Sequence, residues 1–272
     1  MKIQAGDLHD YLSATTRVAE SHAKEAPQLM YLVHQMDQIF QQEIFAHEFD
    51  GDATAGLLIV NAYTMLLSSI REALSGHVVA TFPISRTALE SACYAFLIAC
   101  DGTRADVWFN RHDSEEAHKN SRDVFTVAKA VKALRPVCAT MAEYVEALYA
   151  ASIDFGAHPN RKSVINHLEN SGPAGNDMHG FSLTGVYGHN SWHVNLALLV
   201  CVEMGQAIAF LAAASGKNHP LINERVHVYQ EWMDAKNQMV EELNGEPMPS
   251  TGPMYTSFAP PQVEISSPER RA

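Results

Sequence analysis

The chain is short of basic residues. Its 272 positions hold 19 Lys and Arg against 31 Asp and Glu, a formal net charge of −12. That deficit excludes a protein that meets nucleic acid over its whole surface, because phosphate binding needs a surplus of cations, and it leaves room only for a local basic patch. Cysteine is scarce too: Cys93, Cys100, Cys138 and Cys201 form no C-x-x-C pair. This argues against a disulfide framework and a thiolate zinc site, and for reduced thiols that behave as small hydrophobes. Neither Gly-rich phosphate loop, G-x-x-x-x-G-K-[ST] or G-x-G-x-x-G, occurs, and there is no G-x-S-x-G elbow. Nucleotide hydrolysis and serine-hydrolase chemistry are therefore disfavoured. The opening "MKIQAGDLHDYL" lacks a basic stretch followed by an apolar core, so no secretory leader is expected and a reduced cytoplasm is the expected setting. Strand alternation is scarce, and there is no internal repeat and no heptad run long enough for a coiled coil.

What the chain does have is helical periodicity. With 47% hydrophobic and 18% charged residues it is globular and can bury a substantial core. "HDYLSATTRVAESHAK" and "PQLMYLVHQMDQIFQQEIFAHEF" read as amphipathic helices, the second opened by Pro27. "AGLLIVNAYTMLLSSIREAL" and "FPISRTALESACYAFLIACDG" are apolar on more than one face, which marks a buried pair, with Pro83 in the first turn of the second. A more charged stretch up to Pro136 supplies outer helices, Pro136 opens another, and "MHGFSLTGVYGHN" reads as a small hairpin or an ordered loop. "VNLALLVCVEMGQAIAFLAAASG" is long enough to span a membrane, but Asn195, Glu203 and Gln206 interrupt it. A central core helix running from about Asn190 to Ala214 is the better reading, with no membrane partner. From residue 245 onward lie half of the 12 prolines. The expected architecture is all-α: one helical-bundle domain over 1–244 and a Pro-rich tail over 245–272, disordered or packed as extended chain.

Two stretches concentrate polar groups. In "SRTALE", Arg86 and Glu90 stand four apart on an otherwise apolar helix, so they must be paired or hydrogen-bonded, with Arg71 and Glu72 as further partners. In "SIDFGAHPNRKSVINH", a helix ending near Gly156 turns so as to bring Asp154 towards His158, and an Asp commonly orients an imidazole for acid–base work. Arg161 and Lys162 then set positive charge in the first turn of the next helix, against its dipole, which calls for an anionic partner. The same residues are turn formers, so a purely structural helix–turn–helix stands beside the functional reading. His189 and His193, in "GHNSWH", have the spacing of two metal ligands on one helical face, against a reading with Asn190 as N-cap and His193 packed in the first turn.

The succession "SRTALESACYAFLIACDG", "WFNRHD" and "SIDFGAHPN" resembles a group of bacterial helical proteins that are in turn similar to the HEPN superfamily. The likeness is one of pattern and covers about residues 55–167. Many HEPN domains are metal-independent endoribonucleases of toxin and phage-defence systems, and some are binding modules without catalysis. Their motif is an Arg, a polar residue, and a His a few residues on, with two copies meeting across a dimer. Three pairs here fit that spacing: Arg17 with His22, Arg111 with His118, and Arg161 with His167. His112 supplies the polar residue after Arg111, although "RHDSEEAH" also carries three acids. The resemblance implies a cytoplasmic homo-oligomer of a defence or stress system that cleaves or binds RNA without cofactor or metal. His158 or His118 would be the acid–base group, with Arg161, Arg111 or Arg86 facing the phosphorane. The basic face from Lys119 through Arg122, Lys129 and Lys132 to Arg135, with Phe125, Ala128, Val131 and Leu134 as its buried stripe, is where a phosphate backbone would be received. The alternative is a non-catalytic dimerisation module in which Asp154, His158, Arg86 and Glu90 form a buried polar network.

Overall fold

Local signals start most of the helices. Asp7 caps α1 (Leu8–Lys24) by accepting the Asp10 N–H at 2.8 Å, and Asp52 caps α3 (Ala53–Leu74) through the Thr54 N–H at 2.7 Å. Between them α2 (Met30–Ile39) runs on into a π turn, Phe40–Ile44. It begins three residues after Pro27, and the Leu29 N–H at its start is held by the Asn195 side chain at 3.1 Å. The computed structural model describes residues 6–157, 161–173, 179–249 and 251–258.

The helix α4 (Val78–Cys100) begins earlier than its sequence suggests, so Pro83 lies inside it and not in its first turn. Proline there leaves the Val79 carbonyl without its helical donor. That carbonyl faces Gly156, where a Cβ would lie 3.3 Å from it and 3.1 Å from the Phe82 ring. After α4 come α5 (Arg104–Phe109), α6 (Glu115–Val124), α7 (Val127–Leu134) and α8 (Ala139–Ser152). The basic face over 119–135 is divided between α6 and α7. Phe125 is extended, and Thr126 restarts the chain by capping the Lys129 N–H. The break turns Ala128 outward, so the buried stripe is Phe125, Val127, Ala130, Val131 and Leu134.

A short helix, α9 (Arg161–Ile165), leads into β1 (Leu168–Pro173), which pairs antiparallel with β2 (His179–Leu183), Leu168 opposite Leu183. The hairpin's first strand thus comes from residues expected to flank the short helix, and the stretch after Leu183 is loop. Ser191, not Asn190, then caps α10 (Trp192–Ser215), accepting the Val194 N–H at 3.3 Å. Asn190 takes a left-handed φ of 52° and receives the Asn195 amide on its own side chain at 3.2 Å. The last helix, α11 (Val226–Asn244), ends at Gly245 with φ 75°, the left-handed cap glycine allows.

The molecule is an all-α bundle built around α10, which is buried along nearly its whole length. The pair α3 and α4 packs against it, α2 and α8 close further sides, and α11 is tied to it through Tyr229 on the Gln206 carbonyl and Lys236 on Glu203. Both α3 and α10 are long and apolar enough to cross a membrane, but α10 is an interior helix while α3 is less than half buried. The described segment after α11 lies on the body, passes through bends and a 3-10 turn, Met254–Thr256, and sends Met248, Met254, Tyr255 and Phe258 into the core. Its anchor is Glu203 on α10. This fully buried carboxylate receives Lys236 at 3.1 Å, the Tyr144 hydroxyl at 3.0 Å, and the backbone N–H groups of Met254 and Tyr255 at 2.9 and 3.0 Å. Four donors on one carboxylate offset much of the cost of burying its charge.

Candidate functional site

The link between α5 and α6 is a tight double turn. Asp101 accepts the Thr103 N–H and hydroxyl at 3.2 and 2.7 Å and so starts α5. A 3-10 turn, Asn110–His112, follows it, and Ser114 caps α6 by taking the Ala117 N–H at 3.0 Å. Glu115 and Glu116 stand at the positive end of α6, where the helix dipole favours them. The turn sets Arg111 and His112 opposite His118, Lys119 and Arg122 around an open cavity of about 650 Å³, with Ser114 and Glu115 completing the wall. The His112 and His118 rings lie 6.5 Å apart. Three guanidinium or ammonium groups and two imidazoles against a single carboxylate suit an anion, and two imidazoles side by side can hold and pass a proton.

Arg111 reaches back from this cavity towards α4. Its Nε is buried, with no hydrogen-bond partner among the described residues. Burial raises the Tyr94 phenol, the Glu90 carboxylate adds to that rise, and Arg111 opposes it. Tyr94 therefore lies within electrostatic reach of both Glu90 and Arg111. On the same face of α4, Arg86 Nε bonds Glu90 at 3.0 Å and Nη2 donates to the Tyr149 hydroxyl at 2.6 Å, with the guanidinium 4.6 Å from that ring's centre. Sequence reasoning found Arg86 and Glu90 but missed Tyr94 and Tyr149. Tyr94 could have been found, since it stands four residues after Glu90 on one helical face; Tyr149 carries no local signal.

Arg71 and Glu72 do not join this group. Glu72 pairs with His77 at 3.4 Å, and Arg71 lines a separate crevice with His22 and Leu74. His158, with Pro159 and Asn160, lies outside the described residues. Its expected neighbour Asp154 is exposed in a π turn after α8 and, behind burial and Glu203, helps to hold the Tyr255 phenol well above its ordinary value. Arg161 is exposed at the start of α9.

The three Arg–His spacings meet different fates. In the first, both ring nitrogens of His22 are consumed, one by the Leu74 carbonyl at 2.7 Å and the other by the Asn190 N–H at 3.0 Å. In the third, His167 is buried against the Tyr187 hydroxyl, and burial lowers its pKa. Among the described residues, the pair Arg111 and His118 has both members lining one cavity. His189 and His193, which share the spacing of two metal ligands, have separate surroundings, and His193 is packed in the first turn of α10. His189 lies before α10, with Nε2 on the Glu25 carbonyl at 2.9 Å, while His193 stacks on Tyr187 at 4.0 Å between centroids. Among the described residues no three His, Cys, Asp or Glu form a metal-binding group. The basic face divides in the same way: Lys119 and Arg122 line the cavity, Lys129 is bonded to the Asp123 carbonyl, and Arg135 pairs with Glu146 at 3.5 Å.

No protein-family model, curated protein or solved structure matches this chain.

Proposed function

We propose that the chain is a HEPN-like, metal-independent endoribonuclease whose site is the cavity between Arg111 and His118, working in the cytoplasm as a homo-oligomer in a defence or stress system. One observation carries this reading. Of three Arg–His pairs with the right spacing, two have the imidazole locked into structural hydrogen bonds, and one opens both side chains to the same cationic cavity.

The chemistry asks little of the protein. The RNA 2′-hydroxyl attacks its own phosphate, so the O2′–P bond forms as the P–O5′ bond breaks, leaving a 2′,3′-cyclic phosphate and a 5′-hydroxyl. His118 takes the 2′ proton and His112 delivers one to the departing 5′ oxygen. Arg111, Lys119 and Arg122 face the charge that grows on the phosphorane. The test is cleavage of a mixed RNA pool in chelator, wild type beside His118→Ala and Arg111→Ala, with melting curves in parallel. Cleavage that falls by about 10²–10⁴-fold in His118→Ala, at an unchanged melting temperature, is the expected result. Equal cleavage by all three proteins overturns it.

A second reading has its own support. Arg86 is held by Glu90 and by Tyr149, so the polar patch on α4 clamps α8 whether or not catalysis occurs. Absence of cleavage by the wild type would favour that non-catalytic interaction module.

A further inference from the structure

We infer that the outward face of α3 is the contact between two copies of this chain, which pair antiparallel along it. The inference stands apart from the ribonuclease chemistry and gives the homo-oligomer of that reading a surface. From Ala53 to Ile70, α3 carries no charged residue, yet Ala53, Leu57, Val60, Thr64, Leu67 and Arg71 are all exposed. Leu57 is 61%, Val60 53% and Leu67 42% exposed. Steps of four and three alternate through these positions, the spacing of a helix seam that faces another helix. The Thr64 hydroxyl donates back to the Val60 carbonyl at 2.9 Å, which leaves its methyl group for the face. Single exposed apolar residues are ordinary, but a charge-free row of them marks an interaction surface.

The ends of the row decide what covers it. Asp52 stands just before its first residue and Arg71 is its last. Reversing a second α3 about a two-fold axis near Ala62 sets Leu57 of one copy against Leu67 of the other, Val60 against Thr64, and Asp52 beside Arg71. One patch thus satisfies itself, whereas a parallel pair would oppose Arg71 to Arg71. A lipid surface offers no acid and base at that separation. Shape matches in the same way. Phe49, 37% exposed, lies against Gly56 at the start of the helix. At the other end Ala19, Ala23, Met30 and Leu74 line a crevice of about 560 Å³ that Arg71 borders. The reversed copy brings each Phe49 to the mouth of the other's crevice. Size makes these ends necessary: a row from Ala53 to Arg71 is about 27 Å long and ~10 Å wide, and a stable interface buries about 800 Å² on each partner.

The experiment is sedimentation equilibrium of the full chain, wild type beside Leu57→Glu and Arg71→Gln, at up to about 100 µM, since a dimer's population follows mass action. Both side chains are exposed, so circular dichroism should show the same helix content in all three proteins. The wild type is expected at twice the 29.9 kDa chain mass. Leu57→Glu occurs twice across the axis and should raise the dissociation constant by about 100-fold or more. Arg71→Gln should raise it by about 2–30-fold at low salt, and an unchanged or lower constant overturns the antiparallel pairing. A wild type that stays monomeric overturns the contact and leaves α3 to a partner of another kind. A Leu57→Glu variant that dimerises like the wild type overturns it as well, because the interface then lies elsewhere. Cleavage in the His118→Ala comparison is read separately, so this contact and the ribonuclease reading fail by different measurements.

Discussion

His193 lies flat on Tyr187 with centroids 4.0 Å apart, and His167 is 6.1 Å away, each on a different stretch of chain. Burial first, and then the nearby His167, push the His193 pKa down to about 4, so the ring is neutral in the fold at ordinary pH. His22, His167 and His219 are shifted the same way by burial. The sign follows from linkage: the unfolded chain takes up protons near pH 6.5 and the folded chain does not. Stability is therefore full above about pH 6.5 and is lost as the pH falls from there towards about 4. The melting temperature is predicted to hold from pH 8 to 7 and to fall steadily below 6.5, with a shallower fall in His193→Phe, which keeps the stack and removes the proton site. Identical pH profiles for the two proteins would sink this assignment. At the residue scale the sequence was legible where partners are local and silent where they are not. Arg86 and Glu90 could be paired from their spacing of four, whereas Tyr149 comes to Arg86 from 63 positions away. His22, His118 and His167 look alike as motif members, and only burial separates the two structural rings from the open one.

Among the helices, α10 shows most plainly how a single position governs packing. Gly205 sits where α2 crosses it. A Cβ there would fall 2.1 Å from Met36 Sδ and 2.8 Å from its Cγ, and Met36 is itself fully buried. Ala is worth roughly 1 kcal/mol over Gly in a helix interior, yet overpacking a filled core costs about 1–3 kcal/mol. Gly205→Ala is therefore predicted to lower the urea midpoint, and a variant as stable as wild type would show that α2 can move aside. The long helices were readable because their apolar periodicity runs over many turns. Their boundaries were harder. Pro83 looked like a helix start, but Ser69 on α3 bonds the Thr81 carbonyl at 3.0 Å and the first turn of α4 is held from Val78. Between α6 and α7 the sequence left one helix or two open, because no Gly or Pro marks the break, only the capping hydroxyl of Thr126. The strand β1 was missed for a related reason. Its residues include a Gly at φ 83° and a Pro, both poor strand formers, and the pairing is irregular at that glycine.

At the scale of the whole molecule, the interior position of α10 could be read from its being apolar all round, and the all-α bundle follows from that. The role of the chain after Asn244 could not, because its composition is that of a tail. What fixes it is tertiary: Glu203 needs more donors than Lys236 and Tyr144 supply, and the Met254 and Tyr255 amides provide them. Tyr255 then packs edge-on against Phe155 at 5.6 Å and meets Phe82 at 6.3 Å, and Phe258 stacks on Trp192 at 6.0 Å. A chain cut after Asn244 gives up these contacts and leaves the carboxylate half satisfied in an apolar interior. Each buried Met or aromatic side chain contributes about 1.5–3 kcal/mol, and ordering the strap offsets part of that sum. If the net loss is about 2 kcal/mol or more, the melting temperature should drop by roughly 4–8 °C or further. Tyr255→Ala in the full chain should move in the same direction, by about 3–5 kcal/mol in urea, as large aromatics do when cut from a core. Two variants that melt with the wild type would mean that the segment lies on the bundle without holding it together, and that Glu203 is satisfied by Lys236 and Tyr144 alone.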